Sequence, residues 1–193
     1  RTPIGIHTHN DCGLAVANAL AAVEAGATQV QGTINGYGER CGNADLVTLA
    51  AVLQLKMGRE VLKRPKLREL TDAARYVAEV ANMPQLKNHP FVGQSAFAHK
   101  GGVHINAVMK NPVTYEHTDP SLVGNHRRFL MSELGGKTHI TLKAKELSID
   151  LKKESPEARR ILERIQQKES EGYQYEAAEA SFELIAREVL GKR

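Results

Sequence analysis

Two histidines near the start of the chain have the residue type and spacing of a metal-binding pair. They are His7 and His9 of the segment IGIHTHND, residues 4–11. Because side chains alternate along a β-strand, both imidazoles are expected on one face, with Ile4 and Ile6 on the other. Neutral imidazole is a common ligand of transition metals. The pair therefore predicts half of a divalent-metal site at the end of a strand.

Two histidines do not complete a metal site, and the sequence leaves an alternative open. A complete site needs at least one further ligand, often a carboxylate, from elsewhere in the fold. The alternative is a polar strand end whose histidines only form hydrogen bonds. Short motifs of this kind arise often by chance, so other residues must decide between the two interpretations.

A glycine-rich segment supplies further polar groups after the second predicted strand. It reads NGYGERCGN over residues 35–43, and its charged and amide side chains include Glu39, Arg40 and Asn43. Its glycines allow such a loop to fold tightly over a ligand. A flexible connection is the alternative, but such loops seldom concentrate charged and amide groups beside a polar strand end. We therefore expect this loop to border the ligand site.

Two parallel strands joined by a helix are the elements expected to position these groups. After the first strand, a helix is predicted from Asp11 to Ala25, turned and capped by Asn10-Asp11 and closed by Gly26. The second strand is predicted over residues 28–35, with an apolar and a polar face. Such a unit with polar strand ends is typical of the active-site mouth of a (β/α)8 barrel.

Further helices are predicted along the rest of the chain, interrupted by one long irregular stretch. The predicted helices cover residues 44–57, with Asn43 or Asp45 as cap, then 66–81, 136–147, 156–171 and 176–190. Ser155 followed by Pro156 is a strong helix start. Residues 88–125 are rich in Gly, His, Asn and Pro and are expected to be irregular around short elements. This shift in composition predicts a domain boundary near Lys87.

The composition is that of a globular chain and excludes several classes of protein. With 193 residues and 41% hydrophobic content, the chain can bury a core. Its net charge of +4 is spread over mixed-sign helices, so a nucleic-acid-binding protein is not indicated. Two cysteines without C-x-x-C spacing indicate neither a disulfide framework nor a zinc knuckle. Without a transmembrane-length apolar run or a signal-peptide pattern, a cytoplasmic location is expected.

The motifs together resemble the citramalate synthase, 2-isopropylmalate synthase and homocitrate synthase family of acyl-CoA-dependent Claisen-condensing enzymes. The matching runs are residues 7–43, from HTHND to GERCGN, then SAFAHKGGVH at 95–104 and TYEHTDPSLVGN at 114–125. The resemblance implies an α/β fold, namely the C-terminal portion of a (β/α)8 TIM barrel followed by small, mainly helical linker subdomains. The implied domains are barrel residues 1–87, linker subdomain I at 88–133 and linker subdomain II at 134–193.

The resemblance also implies a role for each candidate site residue. The implied metal ligands are His7, His9 and Asn43, the substrate-binding residues are Asn10 and Arg40, and the catalytic residues are Glu39, His104 and Tyr115. The ion would be Mn, Mg, Zn or Co. His104 and Tyr115 match a His and a Tyr that a linker subdomain contributes to the neighbouring subunit's active site, which implies a catalytic homodimer. From the residues alone, structural hydrogen bonding in a glycine-rich subdomain is the alternative for this pair.

The implied activity is an acyl transfer in which acetyl-CoA condenses with a 2-oxo acid at a divalent metal, in branched-chain amino-acid biosynthesis. The segments GYQYEAAEASFELI and KGGVH favour pyruvate, which gives citramalate, over 2-oxoisovalerate, the substrate of 2-isopropylmalate synthase. The family's D-x-x-R-D motif, which supplies the carboxylate ligand, and the early barrel strands are absent from these residues. We therefore expect a fragment with little activity alone. A non-catalytic linker and dimerisation module is the remaining hypothesis.

Overall fold

In the computed structural model of the chain, which describes residues 2–130, 136–175 and 178–191, the histidine motif forms the first of two parallel strands. Strand β1 spans Gly5–His7 and strand β2 spans Gln29–Gln31, with His7 opposite Gln31. Helix α1, Ala15–Glu24, connects them. The predicted parallel βαβ unit is therefore confirmed, although β2 is shorter than the predicted strand.

Helix α1 begins four residues later than the sequence predicted. The amide of Gly13 donates to the carbonyl of Asn10 (2.8 Å), so these residues form a turn before the helix. Leu14 precedes the helix and offers no capping side chain, but Asn10 Oδ1 accepts from the Ala15 amide at 3.2 Å. The predicted helical start at Asp11 was wrong because the chain must first turn away from β1. Asn10 still satisfies one of the amides that a helix start leaves unpaired.

Helix α2, Leu46–Leu55, follows the glycine-rich loop and has an acidic cap. The Asp45 carboxylate accepts hydrogen bonds from the amides of Val47 and Thr48, each at 3.1 Å. Of the two predicted caps, Asp45 rather than Asn43 is therefore the one used.

Two helices replace the single helix predicted over residues 66–81. Helix α3 spans Arg64–Leu67 and helix α4 spans Leu70–Val80. Between them, the Glu69 amide donates to the Lys66 carbonyl, three residues back, instead of continuing the α-helical pattern. Thr71 Oγ1 then donates to the Val123 carbonyl at 2.7 Å, which fixes the start of α4 against a distant segment.

The chain divides into two compact units. Unit 1 consists of Arg1–Phe97 with Thr118–His126, and unit 2 consists of Ala98–His117 with Arg127–Arg193. Unit 1 has two apolar clusters, one between the βαβ unit and α2 and one around α2, α3, α4 and the loop that follows. Their buried members are Ala15, Ala19, Ala44 and Leu49 in the first, and Val47, Ala51, Leu67, Leu70, Ala74, Phe91, Val92, Phe97 and Val123 in the second.

Unit 2 contains a short strand pair and four helices among its described residues. Strand β3, Ala98–His99, lies parallel to β4, Arg128–Phe129. The helices are α5, Gly102–Lys110; α6, Gly136–Glu146; α7, Pro156–Ser170; and α8, Glu179–Val189. Helix α5 was not predicted, because its sequence GVHINAVMK begins with glycine and contains β-branched residues that weaken the helical signal.

The last three helices form the core of unit 2. Ser155 Oγ accepts from the Ala158 amide at 3.2 Å, so the predicted cap of α7 is confirmed. The buried residues are Ile140, Ala144, Ile149, Ile161, Ile165, Tyr175, Phe182, Ile185 and Ala186. The predicted start of the last helix, at residues 176–177, lies outside the described residues.

The two-stranded parallel sheet of unit 1 is a portion of an α/β architecture. Among the described residues there is no closed barrel. The boundary predicted between residues 133 and 134 lies outside the described ranges. The three-part domain division therefore stays a prediction.

Candidate active site

The two histidines of the first motif lie side by side in unit 1. The ring centroids of His7 and His9 are 5.2 Å apart, and the rings meet nearly edge to face. Both residues are exposed. The backbone of His9 forms an antiparallel bridge with Asn43, so the glycine-rich loop returns directly beside the histidine motif. The structure thus brings together all three predicted metal residues.

Backbone hydrogen bonds hold the glycine-rich loop against the histidine motif. The Asn10 amide donates to the Gly42 carbonyl at 2.9 Å, and the Ala44 amide donates to the Thr8 carbonyl at 3.0 Å. Gly42 has a φ of +92°, and a Cβ atom there would lie 2.1 Å from the Gly36 carbonyl oxygen. Only glycine fits this position without moving the backbone.

Asn43 presents a buried oxygen that has no partner within the described part of the chain. Its Nδ2 donates to the Tyr37 carbonyl at 3.3 Å, which fixes the orientation of the amide. Its Oδ1 is buried without a hydrogen bond. Such an oxygen is expected to bind something, because burying it unpaired is costly.

The predicted substrate-binding residue Arg40 is paired with Asp11 at the protein surface. Its Nε lies 2.8 Å from Asp11 Oδ1, and its Nη2 lies 3.1 Å from Asp11 Oδ2. The hydrogen bond from Arg40 lowers the pKa of Asp11 from its ordinary value. Glu39 is 82% exposed and lies 3.7 Å from Arg40 Nη1. The side chain of Arg40 therefore links the two motifs, while Glu39 extends into solvent.

A buried histidine–carboxylate pair that the sequence did not predict lies next to the loop. His89 Nε2 is 2.7 Å from Asp45 Oδ2, and both side chains are largely buried. Burial tends to raise the pKa of Asp45, but hydrogen bonds from His89 and Thr48 outweigh it and leave that pKa below its ordinary value. The only signal in the sequence was Asp45 as a possible helix cap. Its partner lies 44 residues away.

The second predicted pair, His104 and Tyr115, lies in unit 2. The two ring centroids are 4.3 Å apart, with the ring planes inclined by 31°. His104 is in the first turn of α5, and Tyr115 follows the 3₁₀ turn Pro112–Thr114. Tyr115 is 48% exposed. The structure brings these two side chains together on the surface of unit 2, where both can reach a ligand.

A buried carboxylate anchors the segment that carries Tyr115. Glu116 accepts from Arg127 Nε and Nη2 at 2.6 and 2.5 Å, and it lies 3.0 Å from His99 Nε2. Its side chain is 3% exposed. Burial tends to raise the pKa of Glu116, but hydrogen bonds from Arg127 and His99 keep it below its ordinary value. Neither Glu116 nor Arg127 was predicted, because nothing in their local sequence marks them as partners.

The described residues do not complete a metal site by themselves. Across residues 2–130, 136–175 and 178–191, no group of three or more His, Cys, Asp and Glu side chains is arranged to hold a metal ion. Imidazole nitrogens and an amide oxygen are nevertheless donors that a divalent ion accepts, and Asn43 Oδ1 has no hydrogen-bond partner among the described residues. Cys12 and Cys41 are exposed free thiols. No helix in the described ranges is long and apolar enough to cross a membrane.

Comparison with known families identifies both parts of the chain. Residues 1–77 match the HMGL-like family, and residues 91–172 match the homocitrate synthase post-HMGL domain-like family. The chain is therefore similar to an HMGL-like domain over its first part and to a homocitrate synthase post-HMGL domain over its second part. The predicted relationship to the citramalate synthase, 2-isopropylmalate synthase and homocitrate synthase family is therefore confirmed, and the HMGL-like match identifies unit 1 as containing a TIM-barrel portion.

Among its relatives are several (R)-citramalate synthases. The chain is 54% identical over 98% of its length to the (R)-citramalate synthase of Synechocystis sp. and 53% identical over 98% to that of Geobacter sulfurreducens. It is 39% identical over its whole length to a 2-isopropylmalate synthase of Methanocaldococcus jannaschii. The chain spans 35%, 36% and 37% of these three proteins, so it corresponds to about a third of each.

Proposed function

We propose that the full-length protein condenses acetyl-CoA with a 2-oxo acid, and that the preferred 2-oxo acid is pyruvate, which gives citramalate. The observation that carries this proposal is the pairing of His7 and His9 beside Asn43, in a chain more than half identical to (R)-citramalate synthases. The reaction would serve branched-chain amino-acid biosynthesis. We place it in the cytoplasm, where the exposed thiols Cys12 and Cys41 would stay reduced.

His7, His9 and Asn43 are the residues that would hold a divalent cation, which would be Mn, Mg, Zn or Co. Two imidazoles and an amide oxygen suit such ions, and a carboxylate from the rest of the full-length protein would complete the set. When bound, the cation supplies Lewis-acid polarisation of the carbonyl under attack. Asn10 and Arg40 lie beside these residues and would orient the carboxylate of the 2-oxo acid, with Arg40 exchanging its contact with Asp11.

His104 and Tyr115 would carry the proton transfers. A base removes a proton from the methyl group of acetyl-CoA, and the resulting carbanion adds to the carbonyl carbon of the 2-oxo acid. The carbonyl oxygen takes up a proton, and water then hydrolyses the thioester and releases CoA. A ring nitrogen of His104 and the Oη of Tyr115 can each donate or accept a proton. We propose that they do so in the site of a second copy of the chain, which makes a homodimer the active form. Glu39, in the loop that also carries Arg40, is proposed as a further catalytic residue.

Condensation with 2-oxoisovalerate is the second candidate, supported by the 39% identity to a 2-isopropylmalate synthase. The two substrates differ by two methyl groups on the 2-oxo acid. A pocket distinguishes such groups by only about 1–3 kcal/mol each, so a few side chains decide the preference. Acetyl-CoA and the roles of the residues above are the same in both reactions.

The test measures CoA release by the full-length enzyme from acetyl-CoA with pyruvate or 2-oxoisovalerate. We expect faster turnover with pyruvate and a collapse of turnover in the separate variants His7→Ala and His104→Ala. Gln167→Leu, on the exposed face of α7, is the matched control and should keep full activity. Retained turnover in both histidine variants would contradict the mechanism. Absence of CoA release with either acid would favour a linker and dimerisation module instead.

A further inference from the structure

A buried histidine in unit 2 lies between the two segments that carry His104 and Tyr115. His99 is 9% exposed and lies in strand β3, opposite Phe129 of β4. The Leu130 amide donates to the His99 carbonyl at 2.9 Å, so the backbone at His99 is held against β4. The imidazole of His99 is therefore a fixed point in unit 2.

The ring of His99 binds the segment that carries Tyr115. Its Nε2 lies 3.0 Å from Oε1 of Glu116, whose side chain is 3% exposed. Hydrogen bonds from Arg127 and His99 keep the pKa of Glu116 below its ordinary value, so the carboxylate is ionised at neutral pH. An ionised carboxylate only accepts hydrogen bonds, so His99 Nε2 is the donor. Because Glu116 follows Tyr115 directly, this bond restricts where the phenol ring can lie.

The backbone that follows His99 leads directly to His104. Gly101 precedes helix α5, and its carbonyl accepts from the Ile105 amide at 3.0 Å. A Cβ atom on Gly101 would lie 3.7 Å from Cγ and Nδ1 of His104, so the imidazole of His104 packs back onto this glycine. The ring of His104 therefore rests on a backbone position only two residues after His99.

These contacts form a closed path through unit 2. His104 packs on Gly101, and its ring centroid lies 4.3 Å from that of Tyr115. Glu116, the residue after Tyr115, accepts the hydrogen bond from His99. That hydrogen bond closes the path, so it helps to set the distance between the segment that carries His104 and the segment that carries Tyr115.

We propose that His99 is a positioning residue for the condensation reaction, which holds the rings of His104 and Tyr115 at the separation that proton transfer requires. This inference rests on the proposed function, in which the pair carries the proton transfers. His99 is buried, so it acts through Glu116 and the backbone rather than on the substrate. Its loss should slow the chemical step and leave substrate binding unchanged.

The test measures kcat and KM of the full-length enzyme by CoA release from acetyl-CoA and the preferred 2-oxo acid. His99→Phe keeps a ring beside Phe129 and removes the donor, while Arg127 still pairs with Glu116. We expect kcat to fall about 10- to 100-fold, because small displacements of reacting groups cost rates of this order, and both KM values to change less than about twofold. His99→Gln retains an N–H donor and should recover most of kcat.

Two comparisons separate positioning from a loss of stability. Ile161→Ala removes buried apolar volume from the core formed by α6, α7 and α8, so it should lower the unfolding midpoint and leave kcat unchanged where the enzyme is folded. In an enzyme that already carries Tyr115→Phe, the further change His99→Phe should lower kcat less than about twofold. Residues that act as a unit have non-additive effects of this kind.

Three results would overturn the inference while leaving the proposed function intact. They are an unchanged kcat in His99→Phe, a rise in KM in place of the fall in kcat, and an undiminished effect of His99→Phe in the Tyr115→Phe enzyme. If His99→Phe does not fold, His99→Asn replaces it, because its amide is one methylene shorter than that of glutamine and should not reach Glu116. Its kcat should fall by the same factor. Failure of the unsubstituted enzyme to release CoA, or full activity of Tyr115→Phe, would instead refute the proposed function.

Discussion

The two candidate groups of side chains are held in place by different kinds of interaction. In unit 1, His9 and Asn43 lie on a backbone fixed by main-chain hydrogen bonds and by a glycine at Gly42 that tolerates no side chain. In unit 2, Tyr115 is followed by Glu116, whose buried carboxylate is bound by Arg127. Added volume should therefore damage the first site, whereas loss of a charge should damage the second.

The largest effect is expected from Gly42→Ala in unit 1. The new Cβ atom would lie 2.1 Å from the Gly36 carbonyl oxygen, and the φ of +92° is strained for alanine. We expect the free energy of unfolding to fall by about 3–5 kcal/mol. Because Asn43 would move with the loop, CoA release by the full-length enzyme should fall about 100-fold or more. Urea denaturation and the CoA-release assay check the two quantities.

Gly58→Ala is the matched control for this prediction. Gly58 also has a positive φ, of +64°, but no atom lies within 4 Å of the position of its Cβ. In this variant, backbone strain alone should lower the free energy of unfolding, by about 1–2 kcal/mol, and the activity should be unchanged. Equal losses in the two variants would show that the close contact at Gly42 does not position the site.

The sequence predicted best those features that depend on neighbouring residues. Alternation of side chains predicted the parallel βαβ unit, and Ser155-Pro156 predicted the start of α7. The pairing of His7 with His9 follows from the same alternation, since two residues separated by one share a strand face.

Features that depend on distant contacts were missed. The break between α3 and α4 accompanies a hydrogen bond from Thr71 to Val123, 52 residues away. Asp45 and His89 are 44 residues apart, and no local pattern marks them as partners. Tertiary contacts of this kind cannot be read from local propensity or periodicity.

The next largest effect is expected from Glu116→Gln in unit 2. The substitution removes the charge that Arg127 and His99 face, and leaves the guanidinium without its carboxylate. Arg127 is 31% exposed, so water compensates part of the loss. We therefore expect the free energy of unfolding to fall by about 2–3 kcal/mol, less than for a fully buried ion pair. Urea denaturation of the full-length protein measures it.

The surface pair Glu163–Arg159 provides the control for this substitution. Glu163 is 57% exposed, so Glu163→Gln should leave the unfolding midpoint unchanged. The variant Glu116→Gln should also lower activity through Tyr115 while the metal affinity of the site at His7 and His9 stays the same. A parallel loss of metal affinity would contradict the separation of the two sites.

The Glu116 carboxylate should make the stability of the protein depend on pH in the acidic range. The pKa of Glu116 is lower in the folded protein than its ordinary value of 4.5. The charged carboxylate therefore contributes its full stabilisation above pH 4.5. This contribution to the free energy of unfolding is lost as the pH falls below 4.5 and passes the lowered pKa of the folded state. The unsubstituted protein and Glu116→Gln should thus differ most near neutral pH and converge in acid. A difference that stays constant down to that range would show that the charge of Glu116 is not the stabilising feature.

The smallest effect is expected at His139, a buried side chain on α6 that is 1% exposed. Burial lowers the pKa of His139 below its ordinary 6.5, and the Phe129 backbone and Glu146 only partly offset this, while Lys143 adds to it. The neutral ring of His139 contributes its full stabilisation above pH 6.5. As the pH falls from 6.5 toward the lowered pKa of the folded state, the free energy of unfolding declines by at most about 1.4 kcal/mol per pH unit. His139→Phe should remove this slope in urea denaturation between pH 7.5 and 5.5. If the slope persists in the variant, the acid sensitivity of unit 2 arises from another group.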